Sequence, residues 1–244
     1  PIAFGEVNEG QLSFGVPSGA FGETETDDGT LVDLDGWSHF SAGEPVQPRF
    51  YANVQNAQAG ALHGVLFLGG TYSDTHGFDP VIALSLNEYV TSTAEPAFGA
   101  PGWYPAVPVQ LQAGSSVSTT AETVYATLGQ FDSASGTERV FEAVALGTLY
   151  SNSPDTEPPT IQHVDAVLSG SPASVRIKVE ASDPSGIIRV VVAYTQGGGT
   201  WASSDLEYDA AMGKWTGTIP GSAGMRHFVQ VVDGAGNVSV DDRK

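Results

Sequence analysis

Cysteine is absent from the 244 residues of this chain, which excludes a disulfide scaffold, thiolate zinc sites and thiol catalysis. Long apolar runs are also absent, because no window reaches the roughly 18 consecutive apolar residues of a membrane-spanning helix. Basic residues are scarce, with nine Lys and Arg against 28 Asp and Glu. What is present is 41% hydrophobic residues with 30 glycines and 15 prolines, a composition typical of a packed, turn-rich globular protein.

The charge of the chain is strongly negative and unevenly distributed. Residues 1–150 hold two basic and 17 acidic residues, a net charge of −15, and residues 151–244 hold seven and 11, a net charge of −4, which together make −19. Such a surface repels phosphate backbones and anionic lipids, so we expect neither nucleic-acid binding nor membrane insertion. The negative charge does not exclude divalent cations, basic proteins or uncharged polymers as ligands or partners. Solubility, or adaptation to a salty exterior, is the alternative explanation of the acidity.

Strand signals dominate residues 1–150. Short β-branched or alternating runs are bounded by Gly, Pro, Asn, Asp or Ser, and no segment sustains an apolar period of 3.6 residues. Many short strands without crossover helices indicate an antiparallel sandwich or jelly roll. The predicted strands are Ile2–Val7, Gln11–Phe14, Thr30–Asp35, Arg49–Asn56, Ala61–Leu68, Pro80–Leu86, Ala106–Leu111, Thr123–Gln130 and Glu138–Tyr150.

A domain boundary is predicted near residue 153. The segment Ser151–Pro159 has three prolines and two acids in nine residues, which is typical of a stiff, extended, exposed connector. The charge density also changes there. We therefore expect an acidic, jelly-roll-like β-sandwich over residues 1–152 and a second β-sandwich over residues 153–244.

The second part contains seven predicted strands in about 90 residues, the immunoglobulin-like count. They are Thr160–Val167, Ser174–Ser182, Ile187–Tyr194, Trp201–Tyr208, Lys214–Ile219, Met225–Asp233 and Val238–Asp241. Four of its motifs, Asp155–Ile161, Ala181–Ile187, Gly213–Ile219 and Val231–Asn237, resemble those of the bacterial Ig-like (fibronectin III-like) modules of secreted and surface proteins. The resemblance covers residues 155–241 only and implies a seven-stranded Ig-like sandwich. It implies little about function, because such modules serve as spacers, adhesion domains and accessory parts of secreted enzymes.

One end of that sandwich is predicted to gather oxygen ligands. In the Ig-like arrangement the first strand and two of the turns meet at the end facing the preceding part of the chain. Ca²⁺ takes six to eight oxygen ligands from such loops, so this end is a candidate calcium site. The alternative is ordinary turn chemistry, in which Asp and Asn bond their own backbone. The candidate ligands are Asp155, Glu157, Asp183, Asp233 and Asn237.

Catalytic motifs are not evident. The five histidines form no H-x-x-x-H pair, and there is no G-x-S-x-G elbow or P-loop. The stretch from Asp33 to Gly36 has Leu31 where an EF-hand would need an oxygen ligand, which excludes that motif. A small enzyme using His76 with Asp74 or Asp79 is the weakest hypothesis, and we expect no catalytic residues.

Two segments are candidates for partner contacts. Trp103 and Tyr104 lie in a Pro/Gly-rich stretch, and exposed aromatic rings stack on sugars or anchor proteins. The alternative is that the Trp packs into the sandwich edge. The strand containing Ile2 and Phe4 is expected to pair within its own domain or to add to the sheet edge of a neighbouring copy, which would build fibres.

These observations favour a non-catalytic structural or adhesive subunit of a cell-surface assembly. Its partners would be other copies of itself, other surface proteins or a polysaccharide, with Ca²⁺ as the one cofactor suggested. The alternative is a carbohydrate-binding accessory region of a secreted hydrolase, with Trp103 and Tyr104 as the binding residues. The absence of Cys, the three lysines and the abundance of Gly, Ser, Thr and Val indicate an extracellular location.

Overall fold

A computed structural model describes residues 7–54, 60–84, 102–108, 110–115, 122–222 and 224–241. The described chain is all-β and contains no helix, and hence none long and apolar enough to cross a membrane. Its strands are β1 Asn8–Gly15, β2 Phe21–Thr26, β3 Gly29–Leu34, β4 Ser38–His39, β5 Gln47–Val54, β6 Ala61–His76, β7 Trp103–Tyr104, β8 Gln110–Ser115, β9 Glu122–Thr127, β10 Gly129–Asp132, β11 Thr137–Ser151, β12 Thr160–Ser169, β13 Ser174–Ser182, β14 Ile187–Thr195, β15 Thr200–Asp205, β16 Glu207–Asp209, β17 Lys214–Pro220, β18 Arg226–Asp233 and β19 Val238–Asp241. The all-β prediction is confirmed.

The largest sheet has nine strands and is built on the long antiparallel pair β6 and β11. Its order is β19-β18-β14-β15-β6-β11-β10-β7, and β1 also pairs with β11. Three register irregularities interrupt the β6–β11 ladder, and such irregularities bend a strand and increase its twist. Strands of 16 and 15 residues can therefore curl around a core.

The sheet passes from the first part of the chain to the second where β15 pairs with β6. Thr200 lies opposite Thr71, and Trp201 lies opposite Gly70. Glycine is required beside this junction, because a Cβ on Gly69, whose φ is +150°, would lie 2.8 Å from the Trp201 carbonyl oxygen. Gly69 thus lets the backbone of β15 approach β6.

Three further sheets complete the fold. The sheet β4-β5-β9-β8 lies in the first part, together with the two-stranded hairpin β2–β3. In the second part, the sheet β12-β13-β17-β16 packs its apolar side against β14 and β18. Val175, Ile177 and Val179 alternate along β13 with exposed or partly buried neighbours, which is the pattern of a strand with one buried face.

The predicted strand Trp201–Tyr208 is divided into two, so the second part has eight strands instead of seven. β15 pairs with β14, whereas β16 pairs with β17 in the other sheet. The change occurs at Leu206, whose N–H donates to the Val190 carbonyl at 2.8 Å and whose side chain is buried in the core between the sheets. Burial of this one leucine lets the chain cross from one sheet to the other.

The core beneath β6 contains residues from both parts of the chain. Phe67 contacts the rings of Phe141, Trp201 and Phe228 at centroid distances of 6.0, 6.1 and 5.9 Å. Strands from both sides of residue 153 therefore share one sheet and one hydrophobic cluster. The arrangement as a jelly roll followed by a separate Ig-like sandwich, and the division at residue 153, stay predictions.

The connector Ser151–Pro159 is partly buried and is hydrogen-bonded to β19. Ser151, Ser153 and Pro159 are buried, and the Pro159 carbonyl accepts a hydrogen bond from the Ser239 hydroxyl. The prediction of an exposed connector is wrong for these residues, because β19 lies close enough to bond to it.

Other strands in the first part differ from the sequence pattern. β2 was not predicted, because its sequence FGETET lacks regular apolar alternation. Pro80 and Ile82 form only isolated bridges, and β8 begins at Gln110, near the end of the predicted strand Ala106–Leu111. The residues Ile2 and Phe4 lie outside the described part of the chain.

Candidate functional site

The three aspartates among the five candidate calcium ligands lie together. Asp155 belongs to the connector, Asp183 begins the turn from β13 to β14, and Asp233 ends β18. One carboxylate oxygen from each lies within 4.8 Å of the others. Residues 28 to 78 positions apart in the sequence are thus brought to one end of the second part, where the sequence predicted them.

Asp233 is the buried member of this acidic cluster. Its carboxylate accepts hydrogen bonds from the N–H groups of Ala235 and Asn237, at 2.8 and 2.9 Å. Burial raises the pKa of Asp233, the hydrogen bonds from Asn237 and Ala235 lower it, and the nearby charge of Asp183 raises it further. A bound cation would favour the charged form of all three carboxylates.

Asn237 cross-links the end of β18 to the connector. Its side-chain Nδ2 donates to the carbonyl oxygens of Asp155 and Glu157, at 3.2 and 3.1 Å, and to the Asp233 carboxylate at 2.9 Å. Its Oδ1 lies 3.1 Å from Nδ1 of His63 on β6. The described bonds of Asn237 therefore hold the connector backbone at Asp155 and Glu157 against the end of β18. His63 is a neighbour of this cluster that the sequence did not indicate.

The remaining acids take part in turn chemistry. Asp183 accepts hydrogen bonds from the Ser185 N–H and hydroxyl at 2.7 and 2.6 Å. Glu157 is exposed, and only its backbone contacts Asp155 and Asn237. The arrangement combines a carboxylate triad suited to a divalent cation with the local turn bonds that Asp residues commonly make.

Trp103 and Tyr104 lie in strand β7 at the edge of the nine-stranded sheet. The guanidinium groups of Arg139 and Arg226 lie 4.1 and 5.3 Å from the Trp103 ring centroid. Tyr104 pairs with Phe131 of β10, and burial raises its pKa, with a hydrogen bond from Ser41 acting in the opposite direction. Both aromatic side chains are partly buried, so they are built into the sheet edge.

His76 and Asp74 have separate partners. His76 Nδ1 lies 3.0 Å from the Thr137 hydroxyl. Arg139 donates two hydrogen bonds, at 2.7 and 2.9 Å, to the Asp74 carboxylate. Asp33 accepts a hydrogen bond from the Gly36 N–H at 2.6 Å, which is a turn contact in the segment compared above with a calcium loop.

Glu138 is a buried acid that sequence reasoning missed. It is 3% exposed on β11, and Gln47 Nε2 donates to its Oε2 at 3.3 Å. Burial raises the pKa of Glu138 well above its ordinary value of 4.5, and the hydrogen bond from Gln47 lowers it only partly. No sequence signal marks it, because the exposed Glu142 on the same strand is an acid of the same type.

We expect Glu138→Gln to stabilise the fold increasingly as the pH rises above 4.5. Because the folded-state pKa is raised, the unfolded state loses its proton first, and the wild type loses up to about 1.36 kcal/mol per pH unit until the folded-state pKa is reached. Urea unfolding at pH 5 and pH 8 measures the difference. The exposed Glu142→Gln on the same strand is the control, and an equal effect of both variants would contradict the prediction.

No protein-family model and no curated protein matches this chain. Two of the solved structures that match have a partly similar fold. The complex of RgpB pro- and mature domains from Porphyromonas gingivalis has 12% identity and a TM-score of 0.44, and the match covers 61% of this chain and 84% of that one. A structure of gingipain K from the same organism, concerning its zymogenic latency, has 11% identity and a TM-score of 0.39, covering 61% and 100%. Likeness at this level carries no argument about function.

Proposed function

We propose that this chain is a non-catalytic structural or adhesive module of an extracellular cell-surface assembly. The observation that supports this function is the sheet that continues from β19 to β11 through the β15–β6 pairing. A bend between the two parts of the chain would break this backbone pairing and open the core around Phe67. A module built in this way resists bending between its two parts.

The test of this function is self-association of the intact chain. We expect light scattering and electron microscopy to detect oligomers or filaments at high protein concentration, with Ca²⁺ present or absent as the compared conditions. A strictly monomeric chain in both conditions, over a range of ionic strength, would contradict the assembly proposal.

We further propose that the acidic cluster of Asp155, Asp183 and Asp233 binds Ca²⁺ and stiffens the connector. The support is the 4.8 Å grouping of three carboxylate oxygens from three separate segments. Carbonyl oxygens and waters would complete a calcium shell. Since the connector and the ends of β13 and β18 would share one ion, binding would oppose local opening of this end.

Calcium is expected to raise the thermal stability of the wild type. A ligand at 100 times its dissociation constant stabilises the folded state by about 2.7 kcal/mol. Thermal melting in Ca²⁺ and in chelator measures the shift. The double variant Asp155→Asn, Asp183→Asn should lose this calcium-dependent shift, whereas the exposed control Asp79→Asn should keep it. A wild-type melting temperature that is the same in Ca²⁺ and in chelator would contradict calcium binding.

The alternative function, carbohydrate binding by an accessory region of a secreted hydrolase, depends on Trp103 and Tyr104. Arg139 and Arg226 lie beside the Trp103 ring, and these contacts compete with a stacked sugar. The structural module is therefore the function that the geometry supports better.

A further inference from the structure

Most of the described Lys and Arg side chains of this acidic chain contact an aromatic ring or a carboxylate. Five of the seven described Lys and Arg side chains lie over an aromatic ring or pair with a carboxylate. They are Arg49 on Tyr125, Arg139 with Asp74, Arg189 with Glu9 and Asp205, Lys214 with Glu180, and Arg226 near Trp103. A described Lys or Arg with neither an aromatic ring nor an ion-paired carboxylate beside it is therefore the exception in this chain of net charge −19.

Arg176 and Lys178 are the two exceptions within the described ranges. They lie two residues apart on β13, and neither forms an ion pair with any other described residue. The alternate residues of β13 are buried, so both side chains belong to the outer face of the sheet β12-β13-β17-β16. We call these two residues the cationic face.

The cationic face lines a shallow groove of about 230 Å³. Its other lining residues are Asp165, Val167 and Ser169 of β12. Val167, which lies opposite Arg176, is 60% exposed. Asp165 lies opposite Lys178, and its Oδ1 is bonded to His163 Nε2 at 2.9 Å rather than to the Lys178 ammonium. The groove therefore offers two cations beside an open apolar side chain.

A segment of complementary charge and spacing lies in the first part of the chain. The hairpin β2–β3 is a two-stranded sheet of its own, and it carries Glu23, Glu25, Asp27 and Asp28, all exposed. We call it the acidic hairpin. Glu23 and Glu25 lie two residues apart on β2, so they are about 6.6 Å apart along the strand, the same spacing that separates Arg176 from Lys178.

We propose that the cationic face of one molecule binds the acidic hairpin of a second copy of this chain. Two ion pairs form at matched strand spacing, Arg176 and Lys178 with Glu23 and Glu25, over the side chain of Val167. The contact is heterologous, since it joins two different surfaces, and such a contact builds an open filament unless the rotation closes it into a ring. This inference rests on the proposed assembly function and names a surface that mediates it.

The salt dependence of this contact follows from its charges. Two molecules of net charge −19 repel at long range, and the Debye length falls from about 30 Å at 0.01 M salt to about 8 Å at 0.15 M and 3 Å at 1 M. Moderate salt screens the long-range repulsion while the ion pairs in contact persist. We expect association to be strongest near physiological ionic strength and weaker at both extremes.

The test is a charge exchange between the two surfaces of the intact chain, measured by sedimentation velocity. The first variant, Arg176→Glu with Lys178→Glu, makes all four proposed contact residues negative, and the second, Glu23→Lys with Glu25→Lys, makes all four positive. We expect each variant alone to associate at least about tenfold more weakly than the wild type, because ion pairs are replaced by repulsion. An equimolar mixture should recover association, since each surface then meets one of opposite sign.

The matched control is Asp79→Lys with Glu142→Lys, which changes the net charge as much as the second variant does but at exposed positions outside the acidic hairpin. It should associate at least as well as the wild type. If wild type and both variants associate equally, this contact is wrong while the proposed assembly function stands. If the variants lose association but the mixture does not recover it, the two surfaces do not bind each other and the proposed contact is wrong. A monomeric wild type at every salt concentration would overturn both proposals.

Discussion

Replacing Gln230 by leucine is expected to lower the free energy of unfolding by about 2–6 kcal/mol. The Gln230 side chain is 1% exposed. Its Oε1 accepts from the Phe67 N–H at 2.7 Å, and its Nε2 donates to the Phe67 carbonyl at 2.8 Å. Leucine would leave both backbone groups of Phe67 buried without these partners, at a cost of about 1–3 kcal/mol each. The total is a large part of the 5–15 kcal/mol by which a typical domain is stable.

Urea unfolding of Gln230→Leu beside Gln11→Leu measures this effect. Gln11 is an exposed glutamine on β1, and its replacement should change the free energy of unfolding by no more than about 0.5 kcal/mol. Similar stabilities for the two variants would mean that the amide of Gln230 does not join β18 to β6. The result matters for the proposed function, because this side chain bridges the two parts of the chain.

Phe67→Ala is expected to lower the free energy of unfolding by about 3–5 kcal/mol, the usual cost of a Phe-to-Ala change in a core. Phe67 is completely buried, and its ring lies between rings from β11, β15 and β18. The neighbouring strands are held by backbone pairing, so the cavity cannot collapse fully and its lining loses dispersion contacts.

The shape of the unfolding transition distinguishes a shared core from two independent ones. We expect Phe67→Ala to lower the midpoint for the whole chain, with circular dichroism and tryptophan fluorescence following one transition. The control is Phe40→Ala, because Phe40 is 64% exposed and its loss should be nearly neutral. A variant in which only one of two transitions moves would show that the two parts unfold separately.

Strand positions could be predicted where apolar alternation is strong. The sequence SVRIKVEAS marks β13 from Ser174 to Ser182, and the structure has the same bounds. The hairpin β2–β3 was half missed, since Thr and Glu alternate on β2 without an apolar face. Leu206 could not be placed by pattern, because an isolated leucine between two strands looks like the middle of one strand.

The acidic cluster could be partly predicted from turn positions. Asp183 follows β13, Asp233 ends β18 and Asp155 lies in the connector before β12. An antiparallel sandwich places these positions side by side, as the structure has them. The role of Asn237 was not visible, because its bonds to the connector carbonyls depend on how closely β19 approaches that segment. His63 was missed for the same reason.

The sequence by itself determined that the chain is all-β, that its surface is strongly acidic and which strand faces are apolar, because these properties follow from residue type and local alternation. Only the tertiary structure decided that β15 pairs with β6, that Glu138 is buried and that Arg176 and Lys178 form no ion pair with another described residue. Apolar alternation predicts which face of a strand is buried. It does not predict which strand packs against that face, because this depends on segments more than a hundred residues apart in the sequence. The bridge from Gln230 to Phe67 depends on that packing, since neither residue carries a local signal of the other.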